Sequence, residues 1–264
     1  MIRSMWSAVS GLRNHQIYLD VTGNNIANVN THGYKSTRAV FEDSLSQTVR
    51  NASAPSTAGG QNPTQVGLGV RLGQISGDFK QGGLQVTNVP TDMAIQGDGF
   101  FQVKRGEQTL YTRNGAFSLD KAGDLVTGDG SYVQSADGDK ITISSEEYTS
   151  WQVAPNGVIT GFNDANPEGT PIATIALAKF NNPQGMDRVG GSMFRPTLNS
   201  GDAIVGEPDS EGRGQIIQNT LELSNVDLAG EFTNLIMAQR GFQANSKVVT
   251  ASDEVLNDLI NMKR

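Results

Sequence analysis

The first 29 residues carry an apolar side chain at nearly every seam position of a heptad. Ile2, Met5, Val9, Leu12, Leu19 and Ile26 share one stripe, with Gln16 and Gly23 in its two remaining places. A helix of this length spans about 40 Å at ~1.5 Å per residue, and the stripe runs along it as one narrow seam. The far end repeats the pattern. Leu228, Leu235, Phe242, Val249 and Leu256 recur every seventh residue, and Ala238, Asn245, Ser252 and Leu259 take the companion positions. Asp227 is the expected N-cap, because its carboxylate can accept from the first unpaired amides of a helix. Both stripes are narrower than the apolar face of a helix lying on a globular core. Each helix also contains glycine, at Gly11, Gly23, Gly230 and Gly241, and each costs roughly 1 kcal/mol in a helix interior. The pattern predicts two coiled-coil helices at opposite ends of the chain, weak alone and stabilised by packing in an assembly. Two amphipathic helices resting on a globular core remain the alternative.

The middle of the chain follows other rules. Residues 36–90 hold a Ser-, Thr-, Gly-, Asn- and Gln-rich stretch with Pro55, Pro63 and Pro90, which predicts an extended connector. From residue 91 the pattern becomes short alternating segments, among them Met93–Ile95, Phe100–Val103, Leu110–Thr112, Leu125–Thr127, Trp151–Val153 and Val158–Thr160. Asn114-Gly115, Asp137-Gly138 and Asn156-Gly157 punctuate them, and such dipeptides turn hairpins because Asn and Gly tolerate positive φ. The expected fold is mixed, α+β. A discontinuous terminal helical domain (1–35 and 224–264) accompanies a connector (36–90) and an all-β domain of short strands (91–223).

Composition then removes whole classes of function. Among the 264 residues there is no Cys, and the two His fall at positions 15 and 32. Disulfides, thiolate metal sites and a Cys nucleophile are excluded, and little remains for a zinc or histidine-based centre. A net charge of −7 without a dense basic patch argues against nucleic acid as a partner, since phosphate binding needs clustered Lys and Arg. The apolar run Ile172–Ala178 is far short of the ~20 residues of a membrane span, so no membrane insertion is expected. The start of the chain lacks the apolar core of a cleaved signal peptide.

The remaining candidate chemistry is thin. Asp120, Asp124, Asp129, Asp137 and Asp139 sit in Gly-rich loops, but none completes the alternating ligand set and terminal Glu of a calcium loop. Tight turns explain them. Gly67-Leu68-Gly69 is an incomplete dinucleotide fingerprint. Glu146-Glu147 would point to opposite faces of a strand. His15 belongs on an exposed or partner-facing side of the first helix, and His32 in a turn. Asn51-Ala52-Ser53 matches a glycosylation sequon by chance. No metal, cofactor or catalytic residue is expected, so the chain does not read as an enzyme.

Five stretches resemble a known family. Asn24-Asn25-Ile26-Ala27-Asn28-Val29-Asn30-Thr31-His32-Gly33-Tyr34-Lys35 is similar to the signature of bacterial flagellar rod and hook proteins. Leu223-Ser224-Asn225-Val226-Asp227-Leu228 and the run Ala238–Lys247 resemble that family's C-terminus. Ala94–Phe101 and Tyr111-Thr112-Arg113-Asn114-Gly115 resemble its middle. Gly241-Phe242-Gln243 is more similar to hook than to distal rod proteins, and Gly230 stands where the family usually carries an acidic residue.

The resemblance implies a structural polymer, read here as the flagellar hook. That is a hollow, bendable tube with paired terminal helices inside and the β domain outside. A distal rod subunit is the alternative, and a secreted oligomeric β-domain adhesin a more remote one. The implied partners are further copies of the chain, the distal rod, the hook cap, the hook–filament junction proteins and the type III export gate. The implied location is the extracellular flagellum, reached without a cleaved signal. Phe41 and Leu45 resemble the Phe-xxx-apolar motif that engages the export gate, although an ordinary packed Phe accounts for Phe41 equally well.

Overall fold

The structure is a computed structural model that describes residues 2–52, 54, 59–144, 147–163 and 166–262. Ser53 of the sequon, Pro55 and Glu146 lie outside the described residues, as does the side chain of Ile2. Helices form where the heptads lie: α1 is Ile2–Ala27 and α2 is Leu228–Met262. Asp227 caps α2, its Oδ1 accepting the Ala229 amide at 3.1 Å. Gly230 suits that cap, because a Cβ there would stand 3.0 Å from the Asp227 carboxylate. Between the helices the described residues are short antiparallel strands, turns and a single 3-10 turn at Pro183–Gly185. The class is therefore α+β.

The chain divides into two units, each built from separated stretches. One holds 1–27, 37–77 and 227–264, and the other 28–36 and 78–226. In the first unit, β1 (Thr37–Asp43) and β2 (Ser46–Arg50) pair with β4 (Val70–Gly77) and β3 (Thr64–Gly67) respectively. The two pairs run on through the bonds Ser44 N–H to Gly69 O and Leu68 N–H to Leu45 O. The described residues of 37–50 and 64–77, read as part of an extended connector, thus form a long two-stranded arm. Residues 78–90 and the signature residues 28–35 belong instead with the β unit.

Polar side chains fasten α1 to this arm. Asn14 Nδ2 donates to Val70 O at 2.8 Å, and the Val70 amide donates to Ser10 Oγ at 3.3 Å. Asn25 closes a two-way bond with Thr37, Nδ2 donating to its carbonyl at 2.7 Å and Oδ1 accepting its amide at 3.0 Å. A ladder strand needs partners on both edges, and these side chains supply them where no third strand does. Phe41 is half-buried, with the Tyr18 ring edge-on to it at 5.8 Å.

In the β unit the strand Phe100–Arg105 is the centre of the main sheet. It pairs with Gln108–Thr112, Tyr132–Val133 and Leu177–Lys179, all antiparallel. Neighbouring residues on a strand point to opposite faces, so this sheet feeds two cores. Phe101, Val103, Leu110, Leu177 and Met193 join the larger one with Ile95, Ile141 and Ile159. Phe100, Tyr111, Ala178 and Phe194 turn the other way and meet Phe180. The second core is aromatic, with Tyr111 and Phe180 edge to face at 4.9 Å.

Candidate assembly interface

The first unit brings the two terminal helices together, and the residues that meet are small or polar. Gly11 lies against Asn245, where a Cβ would come within 2.8 Å of Nδ2, and Gly241 lies against the His15 imidazole. Asn25 Nδ2 also donates to Glu231 Oε1 at 2.9 Å. These three pairs run in opposite chain directions, so the helices are antiparallel. On α1 the residues of this contact are Gly11, His15 and Asn25. They follow the expected heptad displaced by one residue. On α2 the buried residues are Ala238 and Ser252, and both are companion positions of the predicted seam.

The predicted apolar rows sit beside this contact. Met5, Val9, Leu12, Leu19 and Ile26 are half-buried, as are Leu235, Val249 and Leu256. Leu228, Phe242 and Leu259 are exposed, and with them Phe232, Ile236, Met237, Val255 and Ile260. Trp6 on α1 is exposed too. The reason is geometric. Two backbones approach closely only where side chains are small, so glycine and alanine occupy the contact and the large apolar groups are left on the flanks.

The signature after α1 has a different job. Asn24 and Ala27 are exposed on the helix, and Asn25 is buried in the arm contact above. Asn28 and Thr31 form a turn, with Thr31 Oγ1 donating to Asn28 Oδ1 at 3.1 Å. His32 lies in the same turn. Gly33 has φ +68°, and a Cβ there would meet the Asn114 amide nitrogen at 2.5 Å, so only glycine fits. Its own N–H donates to Glu222 O at 2.8 Å. Tyr34 and Lys35 are buried.

Lys35 ends in a buried ionic cluster. Its Nζ donates to Glu222 Oε1 at 2.6 Å and to Lys80 O at 2.7 Å. The other carboxylate oxygen of Glu222 takes Arg113 Nη1 at 3.3 Å, and Oε1 also accepts the Gly82 amide at 2.8 Å. Arg113 Nη2 donates to Gly97 O at 2.7 Å, and the guanidinium faces the Phe100 ring. The Lys35 and Glu222 side chains are both fully buried, and Arg113 is 4% exposed. Burial pushes the Lys35 ammonium below the usual lysine range and Arg113 adds to that, while the Glu222 charge opposes it. One carboxylate thus serves two buried cations, a geometry in which each charge is paired.

Two more residues complete this region. Arg188 Nη2 donates to Lys35 O at 2.7 Å, with its guanidinium over the Tyr34 and Phe194 rings. Asn225 Oδ1 accepts the Ser36 amide at 2.8 Å, and its Nδ2 donates to Asp78 O at 2.8 Å. Reasoning from residue patterns passed over Glu222, Arg113, Arg188 and Asn225 as individuals. Arg113 and Asn225 do lie inside stretches that carry the family resemblance.

The acidic loops are turns. Asp120 Oδ1 accepts the amides of Ala122 and Asp124 at 2.8 and 2.9 Å. Asp124 is held by Lys140 Nζ at 2.6 Å and Thr142 Oγ1 at 2.5 Å. Among the described residues no group of three or more His, Asp or Glu could hold a metal ion. No described helix is long and apolar enough to cross a membrane. Leu45 is 80% exposed, so the two residues of the export-like motif differ sharply in burial.

Three family models match successive parts of the chain. The family "Flagella basal body rod protein" matches residues 5–35, covering α1 and the signature. "Flagellar hook protein FlgE/F/G D1 domain" matches 94–161 in the β unit, and "Flagellar basal body rod FlgEFG protein C-terminal" matches 217–262. The flagellar basal-body rod protein FlgG of Bacillus subtilis (strain 168) is 44% identical over the whole of both chains. The FlgG of Borreliella burgdorferi is 38% identical, again over both full lengths. The flagellar hook protein FlgE of Borreliella burgdorferi aligns end to end at 27% identity, over 442 positions. The chain belongs to the bacterial flagellar rod and hook protein family, whose members are structural subunits and not enzymes.

Proposed function

We propose that this chain is a rod subunit of the bacterial flagellum, polymerising with copies of itself into a hollow shaft that carries torque. The observation that carries the reading is full-length identity of 38% and 44% to rod proteins, against 27% to a hook protein whose alignment is much longer. The hook, favoured by Gly241-Phe242-Gln243, is therefore the weaker alternative. Gly241 has a local explanation in this chain, because it makes room for the His15 ring.

The terminal helices suit a polymer. Their mutual contact buries mainly small and polar side chains, while large apolar groups on α2 remain open to neighbouring copies. Residues on both helices would form the inner wall, with the β unit outside. In this reading the partners are further copies, adjoining rod and hook subunits and the type III export gate. The location is the flagellum outside the cytoplasm.

Complementation decides between the readings. Expressed in cells lacking their rod protein, the chain should restore a straight shaft and motility. Restoration of a curved joint in cells lacking the hook protein, with no rescue of the rod, would overturn the proposal.

A further inference from the structure

We propose that residues 28–36 are an integral part of the β unit, held by a clasp of Lys35, Glu222, Arg188 and Asn225. In the unassembled chain, residues 28–36 would then stay ordered with 78–226, whether or not the helices have formed. The argument rests on where the clasp's bonds go. Glu222 takes the Gly33 amide on its backbone carbonyl and the Lys35 ammonium on its side chain. Arg188 bonds Lys35 O while covering the Tyr34 ring. Asn225 alone ties three passages of the chain, accepting from Ser36 and donating to Asp78 O and Lys80 O, the last at 3.2 Å. Every one of these partners lies within 28–36 or 78–226, and none is in α1 or α2.

Ser36, Asp78 and Asn225, each within two residues of a boundary of the β unit, are thereby bonded together. Helices with glycine and polar residues at their contact should open more readily than the sheet. A clasp at the exits insulates the sheet from their fluctuations. Helices that come and go cannot peel the outermost β residues away. The clasp needs no polymer, so it stands apart from the rod reading.

Amide hydrogen exchange on the dilute, full-length chain, resolved to single residues, tests this. The Gly33 and Ser36 amides should exchange as slowly as those of Phe101 and Val103. The amides of α1 should exchange at least about 100-fold faster. Gly33 and Ser36 exchanging at the rate of α1 would overturn the proposal. A second measurement uses Asn225→Ala. Gly33, which Asn225 does not touch, should exchange about tenfold faster or more while Phe101 and Leu110 keep their protection. An unchanged Gly33 rate would refute the clasp even if Ser36 responds. Tube formation is not part of the readout, so a chain that never builds a shaft could still pass or fail.

Discussion

Gly241 lies flat against the imidazole of His15, so that the α-carbon of one helix faces a ring of the other with no side chain between. Together with Gly11 against Asn245, this relationship lets α1 and α2 approach closely. It also gives a glycine in the middle of a helix a reason that propensity does not.

Helix propensity alone says that Gly241→Ala should stabilise α2 by about 1 kcal/mol. Overpacking against His15 reverses the sign, and we expect a loss of about 1–3 kcal/mol in the helix pair. Adding His15→Ala should recover most of it. Thermal melting followed by helical circular dichroism, run as a double-mutant cycle, measures the coupling. Additive effects would show that the two residues do not touch.

Phe242 is 38% exposed in the single chain, so Phe242→Asp should leave the unassembled protein almost as stable as before. In an assembly the same position would bury an unpaired charge. The expected outcome is normal β-unit melting with no tubes visible by electron microscopy at concentrations where the parent forms them. Leu235→Asp should behave alike. Tubes of normal appearance from either variant would remove the helix flanks from the interface.

The ionic cluster makes an ordering prediction. Lys35→Met leaves Glu222 paired with Arg113, whereas Glu222→Leu strands two buried cations. Breaking a buried pair costs about 3–5 kcal/mol, and Glu222→Leu should cost more than Lys35→Met. Urea denaturation of the β unit supplies both numbers. The reverse order would show that the carboxylate is not the hub.

Asp124 gives a pH signature. Burial pushes its carboxyl up, but hydrogen bonds from Lys140 and Thr142, with the Lys140 charge, outweigh that and hold it below the usual carboxylate range. A depressed folded-state value means that the unfolded chain binds the proton more readily. The stabilisation is complete above the ordinary carboxylate range and is lost as pH falls through the folded-state value. Asp124→Asn should therefore melt lower than the parent at neutral pH, and the gap should narrow on acidification. A gap that stays constant down to strong acid would exclude this linkage.

Much of the architecture is written in local pattern. The heptads of residues 2–26 and 228–259 announce two helices, Asp227 announces the start of the second, and Asp137-Gly138 and Asn156-Gly157 mark turns of the β middle, whereas Asn114-Gly115 makes no turn and Gly115 is needed where a Cβ would strike Met93 O. Each is a short-range signal, in which a residue's neighbours four or seven places away suffice. The family is legible for the same reason, since Asn24–Lys35 and Ala238–Lys247 are continuous stretches. The rows that meet between the helices are only partly legible this way. On α2 the contact falls on the predicted companion positions Ala238, Asn245 and Ser252, but close approach also selects Gly11 and Gly241, and the large apolar groups end up on the flank.

The charge cluster shows the limit most clearly. Lys35 and Glu222 are 187 residues apart in the chain, and each read alone is an ordinary surface residue. Only the folded arrangement of the chain brings Arg113 beside the pair, because burying a charge is tolerable only when its counter-charge arrives from elsewhere. Local sequence thus announced the two helices, the short strands of the middle and the family they belong to, but not the strand pairing between 37 and 77. The tertiary structure alone decided which side chains those segments hold in common, because that depends on contacts between residues that no local pattern connects.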